Sequence, residues 1–571
     1  MKSPMYLDKC SNKLLNSAGL VILMACSGLA NALEADTILI NANVYTANAS
    51  QSYSDAIAIK NGKIIALGQA DVDKVTGYSS EVIDLEGLQV LPGFIDNHNH
   101  VFEAASEAGG NCELGPELLP EEQLKYFKQC LFQNRNSSDE WIIGWGHTIS
   151  ETLSEDAEYS PLEVIDSVIK NKPAIFMEQT SHSMWVNSKA LEVAGITVDS
   201  KDPAGGIIMK DEESGELLGI LIDNAGDIVM EKAWNSLNNK FEQSYEGLLN
   251  GLSEAAQHGV TTIGDGRLYW KRGWYDVWQA VKDDDELTAR VSVRPWIYPH
   301  VNKSEQLRFL KKIQSSDKND LLIVDQVKMY SDGIIVNGSA KTLAPYNFTY
   351  FPASPYGLNY IPENEMADWL ISLDKLGYGA HIHAIGDGGV QDSLNAIENA
   401  RKSGSKQKYN MTHLEMISAS DPPRFKSLDV DADFQLGSDY IAEADHSWAE
   451  PLIGKKRAHA LMPIRKVYDT GANVTLSSDW NVNSINPLVG IANAVKLRSK
   501  GLPNVNAAVN AYTINAARAL GLEDVTGSLE VGKSADLVVL DRNIMQGSVN
   551  DIRRATVLMT MLQGELVFEL E

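Results

Sequence analysis

Eight short apolar runs punctuate residues 93–477, and most end in or give way to a polar residue or a glycine. They are Gly93-Phe94-Ile95, Val260–Ile263, Arg290–Val293, Val324–Tyr330, Gly379–Ala384, Asn410–Leu414, Val430–Gln435 and Asn473–Ser477. Helix-like stretches separate them, such as Glu363–Leu376, Val390–Lys402 and Pro463–Thr470. Strands that alternate with helices pair in parallel, because a parallel neighbour needs a crossover. Eight such units imply an α/β chain with a (β/α)8 TIM barrel. The first interval is anomalous. More than 150 residues lie between Val101 and Gly259, against about 30 for one βα unit, so the barrel carries a large insertion after its first strand.

Both flanks read differently. Thr37–Ile40, Ala56–Ile59, Lys63–Leu67, Val82–Leu85 and Gln89–Leu91 are short strand signals, with a hairpin signal at Asn61-Gly62. Leu537–Leu540, Thr556–Met561 and Leu566–Phe568 repeat that grammar at the other end. The economical arrangement is one small β-sandwich built from residues 33–92 and 521–571. The barrel then spans 93–520, with its insertion at about 103–250. Asp283-Asp284-Asp285-Glu286 reads as a solvated face.

Residues 1–32 read as a signal peptide. Lys2, Lys9 and Lys13 precede the apolar run Leu14–Ala25, and Ala30-Asn31-Ala32 supplies a small-x-small cleavage site after Ala32. That run is far short of the roughly 20 residues that span a bilayer. The expectation is an exported chain, periplasmic or secreted. One rival is a lipid anchor at Cys26 in Leu23-Met24-Ala25-Cys26, and another is a cytoplasmic amphipathic helix. Cys112 and Cys130 would survive cleavage, either as a disulfide or as two buried thiols.

Composition bounds the partners. Apolar residues make up 44% and charged residues 22%, so the chain can bury a large core. Lys and Arg number 49 against 76 Asp and Glu, a net charge of −27. Such a chain repels polyphosphate and anionic membrane surfaces, which leaves a small-molecule partner. A local basic pocket for an acidic substrate stays open, since net charge does not report on pockets.

His98-Asn99-His100 ends the first barrel strand. Residues i and i+2 share a face, so both imidazoles can meet one metal ion at the barrel mouth, where barrel chemistry sits. Lys328, His383, His413 and Asp479 end or follow the fourth, fifth, sixth and eighth strands. Each alone has a bland reading: a surface amine, packed histidines, a helix N-cap. Together at strand ends they are hard to explain as packing. His381 shares a face with His383 one layer deeper, which suggests a supporting role.

Here a resemblance enters. Pro92–His100, Val327–Gly333, His383–Asp387, Thr412-His413-Leu414 and Ser478-Asp479-Trp480 resemble, in order, the motifs of the amidohydrolase superfamily. Ser181–Ser188 with Ala190-Leu191, and Asp202–Gly206, resemble the insertion of the branch that holds N-substituted formamide deformylase and related exported amidohydrolases. Gly527–Leu537 resembles the return to the sandwich. The likeness runs over about residues 36–568.

The resemblance implies one or two divalent ions, usually zinc. His98 and His100 would hold the more buried ion and His383 and His413 the more exposed one. Lys328 would bridge them as a carbamate, because an ammonium cannot ligate. Asp479 would bind the buried ion and handle protons. The implied activity is hydrolysis of a non-peptide C–N bond in an amide, formamide or cyclic amide by metal-activated water. Alternatives are ester or phosphoester hydrolysis at the same site, or a catalytically silent binding or regulatory protein on this scaffold. His182 is a candidate substrate contact or acid, against an orienting role in the insertion. Arg457 is a candidate for a substrate carboxylate, against a solvated basic loop. Gln435–Ser438 and Asn481 depart from the branch's pattern beside the pocket, which leaves the substrate open.

Overall fold

The computed structural model describes residues 34–105, 112–438 and 446–570. The expected signal peptide, its cleavage site and Cys26 lie outside the described residues.

The expected strands form. We label the central ones β1 (Phe94–Asn99), β2 (Val260–Asp265), β3 (Arg290–Ser292), β4 (Gln326–Tyr330), β5 (Gly379–Ala384), β6 (Tyr409–His413), β7 (Val430–Gln435) and β8 (Val474–Ser477). All are parallel to their neighbours. One sheet runs β1-β2-β3 and ends on Leu322–Ile323, and the other runs β4-β5-β6-β7-β8. Every residue of these strands is buried, as parallel strands covered on both faces require. A parallel bridge between Trp296 and Lys328 links the two sheets. At the other margin Asp479 N donates to the His98 carbonyl at 2.8 Å, and Ser478 N donates to Asp96 Oδ1 at 2.9 Å. The architecture is a TIM-barrel-like α/β protein.

Helices lie between the strands as the sequence indicates. Asp387–Lys402 follows β5. It starts on an acid and ends on Arg401 and Lys402, which complements the helix dipole. Asp283 to Glu286 are exposed.

The flanking strands form two sheets. Lys63–Leu67, Ile57–Lys60, Thr37–Ile40 and Glu81–Asp84 make one. The other mixes both ends of the chain, because Gln89–Pro92 pairs antiparallel with Leu537–Leu540. Leu39, Ile57 and Ile59 pack with Val90, Leu537 and Val539 between them. The Asn61-Gly62 hairpin has φ of 48° and 75°, the left-handed pair that a two-residue turn requires.

The insertion holds a six-stranded mixed sheet with its own apolar core, ordered from Gly206–Lys210 through Leu217–Asp223, Ser183–Val186, Ala174–Glu178 and Ile142–His147 to Cys112–Glu113. Cys112 and Cys130 stand there as two buried thiols in hydrogen-bonding contact.

Candidate metal centre and substrate cavity

Strand β1 carries His98 fully buried near its carboxyl end, and His100 follows one residue past that end. The Nε2 atoms of His98 and His100 each lie 3.2 Å from Asp479 Oδ1. His413 Nδ1 lies 3.8 Å from Asp479 Oδ2. The His383 ring centroid is 4.4 Å from that of His413. His98, His100 and Asp479 thus form a candidate metal site. Two of these residues hold unusual backbone. His413 and Asp479 have φ of 75° and 55° although neither is glycine. Such conformations persist where surrounding bonds over-determine them. Here Leu414 N donates to the Ala384 carbonyl at 3.0 Å, and Asp479 N is held by His98.

The donor set fits a cation. His98 Nε2, His383 Nδ1 and Lys328 Nζ are buried and make no hydrogen bond. Leaving such atoms unmade is costly unless another group meets them. Their opposite faces are pinned. His98 Nδ1 meets His381 Nε2 at 2.8 Å, and His383 Nε2 meets the Gly333 carbonyl at 3.0 Å. His381 thereby takes the supporting place its strand position suggests. His100 Nδ1 meets Glu103 Oε2 at 3.0 Å, and Arg267 pairs with Glu103 at 3.1 Å. A carboxylate behind a histidine fixes the ring and its tautomer, the usual support of a metal ligand.

Electrostatics agree for three of the four histidines. Burial drives His98 and His383 well below the usual imidazole value and His413 down to about 3. These three are neutral at pH 7, with lone pairs to give. Burial also pushes Lys328 well below the ordinary amine range. For His100 burial acts downward, but Glu103 and Asp479 outweigh it and hold the ring at about 9. Burial would raise Asp479, yet the imidazoles of His100 and His98 beside it keep its carboxyl well below the usual range.

His383, His413 and Asp479 open onto a cavity of about 420 Å³. Ile334, Ile335, Ile385, Leu461, Met462 and Val482 give it an apolar wall, and Glu415, Gln435 and Asn483 give polar points. His182 enters from the insertion. Ser183 pairs with Ile222, which sets His182 beside Asp223, and their Nδ1 and Oδ1 atoms are 2.6 Å apart. Gln435 and Asn481, the two departures from the branch's pattern, both border the site.

Arg457 corrects one expectation. It does not border the cavity. Its guanidinium donates to the carbonyls of Ile453, Ala344 and Pro345 at 2.6, 2.8 and 2.7 Å. All three nitrogens are engaged in clamping loops, so a substrate carboxylate finds no partner there. Sequence reasoning missed Glu103, Arg267, Asp223 and Glu415. Of these only Glu103 carries a local signal, an acid three residues after His100 on the helix Val101–Ala105.

A barrel-like α/β fold with imidazoles and a carboxylate gathered at its strand ends outlines a candidate metal centre of hydrolase type. The Amidohydrolase family profile matches residues 81–568. The chain belongs to that family and is a hydrolase of carbon–nitrogen bonds other than peptide bonds. Protein LONG AFTER FAR-RED 3 of Arabidopsis thaliana is 28% identical over 557 residues, covering 94% of this chain and 92% of its own length. N-substituted formamide deformylase of Arthrobacter pascens is 26% identical over 555 residues, covering 94% and 98%. A solved structure of an uncharacterized metal-dependent hydrolase from Pyrococcus horikoshii OT3 shares the fold, with a TM-score of 0.69 and 21% identity over 90% of this chain and 99% of that one.

Proposed function

We propose that this chain is an exported, metal-dependent amidohydrolase that cleaves a linear amide, formamide or cyclic amide. One observation carries the reading: His98 Nε2 and His100 Nε2 converge within 3.2 Å of Asp479, which lines an apolar-walled cavity. In this reading His98, His100 and Asp479 hold one divalent ion, most simply zinc given the nitrogen and oxygen donors. His383 and His413 would hold a second, and Lys328, once carboxylated, would serve as a further anionic ligand. A buried amine without a hydrogen bond suits that modification, since the neutral form is the one that attacks carbon dioxide. We read the two parallel sheets as one closed barrel and the two terminal sheets as one sandwich. The bonds between β1 and the end of β8, and the shared core of the terminal sheets, support both.

A divalent ion held there would polarise the substrate carbonyl and acidify a water towards about pH 7. The chain's own groups do the rest. Asp479, held ionised and lining the cavity, takes the proton of the attacking water and passes it to the leaving nitrogen. His182, fixed by Asp223, offers a hydrogen bond to the carbonyl oxygen. The apolar wall excludes bulk water and strengthens both interactions.

Elemental mass spectrometry of chain purified without chelator tests the metal, and a panel of matched amides, formamides, esters and phosphoesters tests the bond. The expected result is one or two zinc-class ions per chain and preferential C–N hydrolysis. A folded chain that resists reconstitution would turn the reading to a silent binding protein, and faster ester or phosphoester cleavage would turn it to that chemistry. Export is checked by N-terminal sequencing of the native protein, which should begin at Leu33. Among the described residues no helix is long and apolar enough to cross a membrane.

A further inference from the structure

The charges around the cavity are unevenly spent. Arg267, in the recess behind His100, is taken by Glu103 at 3.1 Å and by the Tyr330 hydroxyl at 3.0 Å. Arg457 is bound to backbone carbonyls elsewhere. Among the described lining residues there is no Lys or Arg, and Glu415 is the one carboxylate besides Asp479. The turn at His413 and Leu414, with φ of 75° and 51°, brings both His413 and Glu415 to the cavity. The Glu415 carbonyl is anchored by Met462 N at 2.8 Å. Its half-buried carboxylate meets no hydrogen-bond donor and no cation among the described residues. An acid facing an apolar wall without a partner is costly unless a ligand supplies one.

We propose that Glu415 makes this cavity select substrates that carry a basic nitrogen on an apolar body, and reject those that carry an anionic group. The inference rests on the hydrolase reading of the same site and names its substrate class. The apolar body lies against Ile334, Ile335, Ile385 and Leu461, and the ammonium or amine meets Glu415 while the scissile bond sits at Asp479. An anionic substituent would face Glu415 with no compensating base, so charge exclusion adds to attraction.

The test uses non-hydrolysable ketone isosteres, so that binding is read without turnover. The probes are 4-phenylbutan-2-one and its ring 4-aminomethyl and 4-carboxy derivatives, titrated calorimetrically into the full metal-loaded chain. The aminomethyl ketone should bind about tenfold tighter than the neutral one, and the carboxy ketone about tenfold weaker. Glu415→Gln should shrink the ratio of aminomethyl to neutral affinity about tenfold, while Glu415→Asp keeps the cation preferred. Wild type that binds the carboxy ketone as tightly as the aminomethyl ketone overturns the proposal. So does a folded Glu415→Gln that keeps the wild-type ratio. The wild-type comparison alone decides if the variant does not fold. Failure of every amide to turn over, with the binding preference intact, would count against the hydrolase reading and not against this one.

Discussion

The two ends of the parallel strands each open onto a cavity, and they have spent their polar atoms differently. At the carboxyl ends, around about 420 Å³, His98 Nε2, Lys328 Nζ and His383 Nδ1 make no hydrogen bond. The amino ends border a larger space of about 690 Å³ that includes Lys408, Asp431, Asn473 and Arg518. There the groups answer one another. Asn473 Nδ2 donates to Asp431 Oδ1 at 2.7 Å and to the Asn515 carbonyl at 2.9 Å, and Lys408 lies 3.5 Å from Glu523. Size and polarity therefore do not identify the working end. Unsatisfied imidazole and amine nitrogens grouped with a carboxylate do, because folding tolerates that cost where a cation recovers it. The unmade atoms at the amino ends, Asn410 Oδ1 and Arg290 Nε, are an amide oxygen and a guanidinium nitrogen.

Removing those unsatisfied atoms should have the largest effect. A His98→Ala, His100→Ala double variant is expected to lose its metal and at least about a thousandfold in turnover, with circular dichroism unchanged. Full activity in that variant would erase the distinction between the two ends. The pinning can be probed next. Glu103→Gln frees His100 and leaves Arg267 without its carboxylate. Metal affinity, read by chelator competition, should fall by about 10- to 100-fold. Thermal stability should fall too, because a buried guanidinium loses its counter-charge. Unchanged affinity would make Glu103 a packing residue and detach the carboxylate from the centre.

Much of the candidate site at the carboxyl ends was legible because strands report their own ends. Lys328, His383, His413 and Asp479 close apolar runs whose lengths match β4, β5, β6 and β8, so their shared location followed from counting strands. The insertion was visible as an excess of length, and the terminal sheets as a change of period. What stayed hidden depends on distances that no local pattern encodes. Asp223 reaches His182 through an antiparallel register 41 residues away in sequence. Arg267 reaches Glu103 from beyond β2. Arg457 misled for the same reason: Lys455-Lys456-Arg457 announces charge, while the direction of the guanidinium is set by the carbonyls of Ala344 and Pro345. Cys112 and Cys130 were readable as neighbours or strangers, and only the packing of a strand against the helix Leu124–Gln133 brought the thiols together.

The smallest effect is expected at the amino end, where Asp431 is buried at the start of β7 and burial pushes its carboxyl from 3.8 up to about 7. The hydrogen bond from Asn473 acts the other way but does not win. In the unfolded chain this acid loses its proton near pH 4, and in the folded chain it keeps it to about pH 7. Between those values the folded state binds more protons, so the stability tied to this group is complete below about pH 4 and is lost as pH rises through about 7. Asp431→Asn removes the titration and keeps an oxygen to accept from Asn473. The variant should melt about 1–2 °C above wild type at pH 8, and the gap should close at pH 4. A gap independent of pH would mean that the substitution changes packing instead. Loss of metal or turnover on Asp431→Asn would be the more serious result, since it would show that the amino end shares in the chemistry and that satisfied polar groups are no sign of a structural role.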